Sequence, residues 1–153
     1  MEVLKTADVV LFDDLANEAA LDAYCSPACQ RVYVGKRGGR SSTPQPDINQ
    51  MLIDKCVRHR HVVRLKGGCP SVFARVSSEL QALRRAAIPV TIVPGVSSTL
   101  AAPLAAGFPL TEPSVGARSI SVFSAHDPAA LPAAAIAQLD TVVLVRAHII
   151  IDS

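Results

Sequence analysis

Two adjacent glycines, Gly67 and Gly68, form the part of this sequence that is best suited to bind a small molecule. They follow the apolar run Val62–Leu65, which predicts a buried strand, and they precede Pro70, which predicts the first residue of a helix. A strand, a glycine turn and a helix in that order leave backbone N–H groups free at the carboxyl edge of a sheet, where α/β folds bind ligands. A glycine pair alone more often only turns the chain, so the prediction depends on the residues that flank it.

A cluster of cations without nearby acids offers a second kind of chemistry. Arg31, Lys36, Arg37 and Arg40 fall within ten residues that contain no Asp or Glu. Guanidinium groups pair with carboxylates through two parallel hydrogen bonds, so Lys36, Arg37 and Arg40 suit an anionic ligand. The alternative is a solvated basic loop, because residues 35–46 are rich in Gly, Ser and Pro.

The elements that must position these residues alternate between strand and helix along the chain. Short apolar runs predict strands, and apolar residues spaced three and four apart predict helices. Strict alternation is typical of a parallel sheet with crossover helices, so the predicted fold class is α/β. The predicted strands are Asp8–Phe12, Arg31–Val34, His61–Leu65, Pro89–Val93, Ser119–Phe123 and Thr141–Val145. The predicted helices are Leu15–Tyr24, Asp47–Arg60, Ser71–Ala87, an alanine-rich helix that ends at Gly107, and a weak helix at Ala129–Ala137.

Composition argues against several classes of function. Half of the 153 residues are hydrophobic, and the net charge of +2 is too small to favour nucleic-acid binding. No run approaches the roughly 20 apolar residues that a membrane-spanning helix needs, and no secretory signal opens the chain. The sequence therefore predicts a soluble, cytoplasmic protein, or a plastid protein if the source is a photosynthetic eukaryote. The cysteines lack the paired spacing of a zinc site, so we expect reduced thiols and no metal at Cys25, Cys29, Cys56 and Cys69.

Five segments resemble the tetrapyrrole (corrin/porphyrin) methylase family in their order and spacing. The central one is Val63-Arg-Leu-Lys-Gly-Gly-x-Pro70, which is similar to the Lys-Gly-Gly-Asp-Pro segment of the uroporphyrinogen-III C-methyltransferases. The other four are Ala7–Leu15, Tyr33–Arg40, Val93–Ser98 and Ala106–Thr111. On this ordered set the chain is identified as a member of the family, and its basic residues Lys36, Arg37, Arg64 and Lys66 favour the uroporphyrinogen branch.

The resemblance implies a fold of two α/β domains and a methyl-transfer reaction. Residues 1–113 would form the first domain, without the strand and glycine turn with which the family begins, and residues 114–153 would form the start of the second. The implied cofactor is S-adenosyl-L-methionine, which leaves S-adenosyl-L-homocysteine as product. The implied substrate is the tetrapyrrole uroporphyrinogen III, methylated on carbon to precorrin-2 on the path to sirohaem or cobalamin. The family also suggests a homodimer.

The resemblance also implies roles for individual residues. Asp13 matches an aspartate that takes a proton, and Lys36 matches a lysine that donates one. Arg37 and Arg40, in the same loop as Lys36, are expected to contact the substrate carboxylates. The alternative for Asp13 is a cap on the helix that follows it, a role that aspartate favours. The expected cofactor-binding residues are Gly67, Gly68, Cys69, Val72, Ser97 and Ser98.

Several residues depart from the family pattern. Cys69 stands where the family has aspartate, and its position before Pro70 predicts the N-cap of the following helix. Cysteine is a weak acceptor, and loss of a good cap costs about 0.5–2 kcal/mol, so we expect a looser cofactor loop. Arg75, in contrast, keeps its family position on the helix after the loop, and the alternative for it is a surface ion pair with Glu79, four residues along. The alternative function is a truncated, non-catalytic tetrapyrrole-methylase-like fragment or binding module.

Overall fold

A computed structural model gives the structure of residues 2–16, 18–35 and 43–146. The chain divides into two compact units, Met1–Gly95 and Val96–Ser153. Both units are α/β and their named strands pair in parallel, which confirms the predicted fold class. The predicted domain boundary after Pro113 falls inside the second unit and stays a prediction. None of the helices in the described part of the chain is long and apolar enough to cross a bilayer.

The first unit is built around a three-stranded parallel sheet with the order β2-β1-β3. Phe12, the last residue of β1, lies opposite Tyr33 at the end of β2 and Leu65 at the end of β3. The three strands therefore end level with one another at the carboxyl edge of the sheet. The elements of this unit are α1 (Glu2–Lys5), β1 (Val9–Phe12), α2 (Glu18–Tyr24), β2 (Gln30–Tyr33), α3 (Gln45–Arg58), β3 (Val62–Leu65) and α4 (Val76–Arg85).

The central strand β1 forms the core of the first unit. Val9, Val10 and Leu11 are completely buried, and their side chains alternate between two apolar clusters. A continuous apolar run of this kind is typical of a parallel strand that is covered on both faces. One cluster joins Val10 and Phe12 to Leu4, Ala7, Leu21, Cys25 and Cys29, and the other joins Val9 and Leu11 to Val34, Ile48, Leu52 and Leu83.

The second unit contains a two-stranded parallel sheet. Ile120 lies opposite Thr141, and Ser124 lies opposite Val145. No residue of either strand is fully buried, so this sheet lacks the covered central strand of the first unit. The elements are α5 (Ser98–Ala105), a 3-10 turn at Pro113–Val115, β4 (Ile120–Ser124), a 3-10 turn at Pro128–Ala130, α6 (Ala133–Ile136) and β5 (Thr141–Val145).

Two predicted elements are wrong. The helix predicted from Ser71 begins only at Val76, because the residues before it form turns in which Phe73 and Arg75 have positive φ angles of 47° and 54°. The segment Pro89–Val93 forms no strand in the described structure, and its apolar side chains are exposed. An apolar run becomes a strand only where a neighbouring strand supplies the ladder of hydrogen bonds.

Candidate functional site

The loops that follow the three strands of the first unit meet at the carboxyl edge of the sheet. Gly35, after β2, packs so closely that a side chain there would place its Cβ 2.7 Å from the Tyr33 hydroxyl and 2.9 Å from the Asp14 nitrogen. Gly67, after β3, packs in the same way on Leu15, where an added Cβ would lie 2.7 Å from the carbonyl oxygen. Glycine permits both approaches because it has no Cβ. The loop after β1 is therefore in contact with the loops after β2 and β3.

Four charged side chains form one network at this edge. The Arg64 guanidinium donates from Nη2 to Asp13 Oδ2 at 2.7 Å, and its Nε lies 3.3 Å from Glu79 Oε1. Lys66 Nζ lies 2.9 Å from the same Glu79 carboxylate. Side-chain exposure is 13% for Arg64, 8% for Lys66 and 5% for Glu79. Two cations facing two carboxylates keep each of these sheltered charges paired, which is the condition for retaining them away from water.

Asp13 is held by both of its carboxylate oxygens. Oδ2 accepts from Arg64, and Oδ1 accepts from the backbone N–H of Leu15 at 3.3 Å. The helix α2 begins only at Glu18, so Asp13 closes a turn and does not cap the helix. About a quarter of its side chain, 26%, is exposed, so a bound molecule can approach the carboxylate.

The loop after β3 is shaped by its glycines and by Lys66. Gly68 has a positive φ of 82°, and an added Cβ on Gly95 would overlap the Gly68 carbonyl. The Cys69 carbonyl accepts from the N–H of half-buried Val72 at 3.2 Å, which closes a tight turn. Burial lowers the pKa of Lys66, and its hydrogen bond to Glu79 opposes that shift.

Cys69 is not the N-cap of the next helix, which corrects the prediction from sequence. The residue before α4 is Arg75, which has a left-handed backbone and makes no side-chain cap. The Cys69 sulfur lies 3.0 Å from Ser71 Oγ. Hydrogen bonds from Ser71, and a smaller one from the Gly95 N–H, lower the pKa of the Cys69 thiol. A hydrogen bond therefore links the Cys69 thiol to the Ser71 hydroxyl within the same loop.

The predicted site residues fall into three groups. Lys36, Arg37 and Arg40 lie outside the described residues. Ser97 and Ser98 belong to the second unit, where Ser97 caps α5 by accepting from the Thr99 N–H at 3.3 Å and Ser98 is the first helical residue. The remaining residues lie at or beside the carboxyl edge of the first sheet: Asp13, Gly67, Gly68, Cys69 and Val72.

Glu79 is the residue at this edge that sequence reasoning misses. The predicted surface pair between Arg75 and Glu79 is wrong, because Glu79 is only 4% exposed and pairs with Arg64 and Lys66. One signal was present in the sequence. Arg64 interrupts the apolar run Val62–Leu65, and a cation in a sheltered strand needs a sheltered anion as its partner.

Comparison with known proteins identifies the family of the chain. The family model described as Tetrapyrrole (Corrin/Porphyrin) Methylases matches residues 1–152. The chain belongs to the tetrapyrrole methylase family. The chain is 47% identical over 144 residues to uroporphyrinogen-III C-methyltransferase of Synechococcus elongatus, in an alignment that covers 94% of the chain and 58% of the relative.

Solved structures show the same relationship. The crystal structure of uroporphyrin-III-C-methyltransferase from Thermus thermophilus matches with a TM-score of 0.74 and 42% identity, covering 94% of this chain and 58% of that one. A second Thermus structure, complexed with S-adenyl homocysteine, matches with a TM-score of 0.75 and 35% identity, covering 95% of this chain and 60% of that one. The chain therefore spans somewhat more than half the length of these relatives, and the predicted family is confirmed.

Proposed function

We propose that this chain transfers a methyl group from S-adenosyl-L-methionine to a ring carbon of uroporphyrinogen III. The observation that carries the proposal is the contact between Gly67 and Leu15, which joins the predicted cofactor loop to the turn that holds Asp13. A proton acceptor and a cofactor loop side by side at a carboxyl edge are the arrangement that the reaction needs. The names of the relatives support the same substrate and reaction.

The residues of the loop after β3, residues 67–75, which we call the glycine loop, fit this cofactor. Gly67 and Gly68 present backbone without Cβ atoms, so a ligand can approach closely. The Cys69 sulfur is a weak hydrogen-bond acceptor for hydroxyl or amino groups, and half-buried Val72 adds apolar surface. When bound, S-adenosyl-L-methionine supplies an electrophilic methyl group. Ser97 and Ser98 stay predicted contacts in the second unit.

The chemistry left to the chain is positioning and proton transfer. Forming a new carbon–carbon bond on a reduced pyrrole ring requires that a proton leave the tetrapyrrole, and the Asp13 carboxylate is the proposed acceptor. Lys36 is the proposed donor of a proton, and Arg37 and Arg40 are proposed to pair with substrate carboxylates.

The proposed assembly is a homodimer, as the family resemblance suggests, and the proposed location is the cytoplasm, or the plastid of a photosynthetic eukaryote. Sedimentation velocity of the purified chain tests the first point, because a monomer at micromolar concentration would contradict it. Microscopy of a fluorescent fusion in the source organism tests the second.

Calorimetry and a methyl-transfer assay test the proposed function. We expect the purified chain to bind S-adenosylhomocysteine and to transfer labelled methyl from S-adenosyl-L-methionine to uroporphyrinogen III. Asp13→Asn should bind S-adenosylhomocysteine like wild type and should lose methyl transfer by on the order of 100-fold, since a positioned acid or base is worth that much or more. The matched control is Asp22→Asn, a surface carboxylate on α2 that pairs with Arg31.

Two outcomes would decide against the proposal. A folded wild-type chain that binds no S-adenosylhomocysteine would favour the non-catalytic fragment or binding module. Equal activity in Asp13→Asn and Asp22→Asn would show that the Asp13 carboxylate takes no part in the reaction.

A further inference from the structure

Glu79 is a buried carboxylate to which the proposed chemistry gives no role. It lies in the first turn of α4 and is 4% exposed. Its Oε1 atom accepts from Lys66 Nζ at 2.9 Å, from Arg64 Nε at 3.3 Å and from Gln45 Nε2 at 3.4 Å. Two donors from the end of β3 and one from α3 converge on this carboxylate of α4, so it is a junction between the three elements.

One arm of the junction reaches Asp13 through Arg64. The guanidinium faces Glu79 with Nε and Asp13 with Nη2, the latter at 2.7 Å from Oδ2. A guanidinium is planar and its donors point in fixed directions, so an anion that orients Nε also orients Nη2. Glu79 therefore helps to set the position in which the Asp13 carboxylate is held.

The other arm reaches the glycine loop through Lys66. Its Nζ donates to the Ala74 carbonyl at 2.7 Å as well as to Glu79. Ala74 lies between Phe73 and Arg75, whose positive φ angles of 47° and 54° are unfavourable for side chains of this size. The hydrogen bond from Lys66 to the Ala74 carbonyl therefore favours this turn over an earlier start of helix α4. Without Glu79, Lys66 would keep the burial that lowers its pKa and lose the carboxylate that opposes the shift.

We propose that Glu79 is a positioning residue that couples the Asp13 carboxylate to the Gly67–Arg75 loop through Arg64 and Lys66. The positioning role rests on the proposed function, whereas the coupling between the two loops can be measured without any turnover. A substitution at Glu79 should therefore loosen both the turn that holds Asp13, through Arg64, and the glycine loop, through Lys66.

Hydrogen–deuterium exchange of single amides tests the coupling directly. Glu79→Gln keeps the shape of the side chain and removes its charge. We expect the amides of Leu15 and Ala16 beside Asp13, and of Val72 in the glycine loop, to exchange on the order of tenfold faster, since local opening governs their protection. The amide of His59, which donates to the Lys55 carbonyl at the end of α3, should keep its rate.

Ligand binding and kinetics then test the positioning role. Affinity for S-adenosylhomocysteine should fall by about tenfold in Glu79→Gln, and kcat should fall further while KM for uroporphyrinogen III changes little. Glu79→Asp keeps the charge and should recover part of each loss. The matched control is Asp54→Asn, which removes an exposed carboxylate on α3 that accepts from Gln50 at 2.8 Å.

The outcomes separate the coupling from the proposed function. Unchanged exchange, faster exchange in only one of the two loops, or an equal rise at His59 would each overturn the coupling, the last because it would indicate general destabilisation. A wild-type chain that binds no S-adenosylhomocysteine would overturn the proposed function and with it the positioning role. The exchange pattern would still decide whether Glu79 links the two loops.

Discussion

In each unit, an aspartate before one strand holds the start of the neighbouring strand. Asp8, before β1, accepts from the backbone N–H groups of Arg60 and His61 before β3, both at 3.0 Å. Asp140, before β5, accepts from the Arg118 N–H at 3.1 Å and the Ser119 hydroxyl at 2.8 Å before β4. The same local contact therefore aligns the strands of a three-stranded and of a two-stranded sheet.

The units differ in what surrounds those strands. The first covers β1 on both faces and holds the network of Arg64, Lys66 and Glu79 at its carboxyl edge, whereas the strands of the second are only half buried. An exposed carboxylate is thus enough to align two strands. Holding ionised side chains in fixed positions requires the sheltered surroundings that only the first unit provides among the described residues.

The largest expected difference between the units is in packing. Leu11→Ala removes a completely buried side chain from β1 and should lower the free energy of unfolding by about 2–5 kcal/mol. Leu144→Ala, on β5, removes a side chain that is 46% exposed and should cost about 1 kcal/mol or less. Urea unfolding followed by circular dichroism measures both. Similar losses would mean that the second unit is packed as firmly as the first.

Within the first unit, cysteine reactivity distinguishes the loop at the carboxyl edge, which holds Cys69, from helix α3, which holds Cys56. The pKa of Cys69 is lowered by hydrogen bonds from Ser71 and Gly95, while burial raises the pKa of Cys56 on α3. Because the thiolate is the nucleophile, Cys69 should react with iodoacetamide several-fold faster than Cys56 at neutral pH. Ser71→Ala should slow the labelling of Cys69 and leave that of Cys56 unchanged. Peptide mass spectrometry over time gives both rates, and an unaffected Cys69 rate would show that Ser71 does not activate the thiol.

The smallest expected effects are at the two aspartates. The pKa of Asp8 is lowered mainly by the His61 N–H, and that of Asp140 mainly by the Ser119 hydroxyl. A carboxyl whose folded pKa lies below its unfolded value of 3.8 stabilises the fold above that pH, and the stabilisation is lost as the pH falls through the folded pKa. Acid should therefore weaken both contacts below about pH 4.

Each aspartate can be tested against the other. Asp8→Asn should flatten the acid dependence of amide exchange in the first unit only, and Asp140→Asn should do so in the second unit only. Exchange should be measured from about pH 5 to well below the unfolded value of 3.8, because the stabilisation is lost as the pH falls through the lowered folded pKa. A response of the wrong unit, or of both units to one change, would mean that the contacts do not act locally.

The sequence predicts most strands and the composition of the carboxyl edge because those signals are local. The run that became β1 is wholly apolar, and those that became β2 and β3 carry Val, Leu or Tyr beside one arginine each. Parallel strands bring the loops that follow them to the same edge of the sheet. Gly67, Gly68 and Asp13 could therefore be placed together in advance. The run Pro89–Val93 carries the same local signal and forms no strand, because pairing depends on what lies beside it in space.

The remaining errors have the same physical origin. Pro70 favours the first turn of a helix, yet the helix starts only at Val76, after a turn in which Lys66, the residue that follows β3, donates to the Ala74 carbonyl. Glu79 stands four residues from Arg75, yet it turns inward to Arg64 and Lys66. In both cases a contact with a residue at least eight positions away outweighs the structural preference of residues adjacent in sequence. The local sequence pattern does not show which residue will make that contact.

The Asp8 contact also bears on the order in which the first unit can fold. Asp8 meets residues that lie 52 and 53 positions further along the chain, after α2, β2 and α3. Contacts across so long a loop are slow to form, because the entropy of closing the loop must be lost before pairing stabilises the strands. When β3 does arrive, a slip by one residue would exchange the faces of its side chains. A carboxylate that accepts from two consecutive N–H groups recognises one alignment of β3, so we expect register to be set at this end of the sheet and to spread from there towards Phe12.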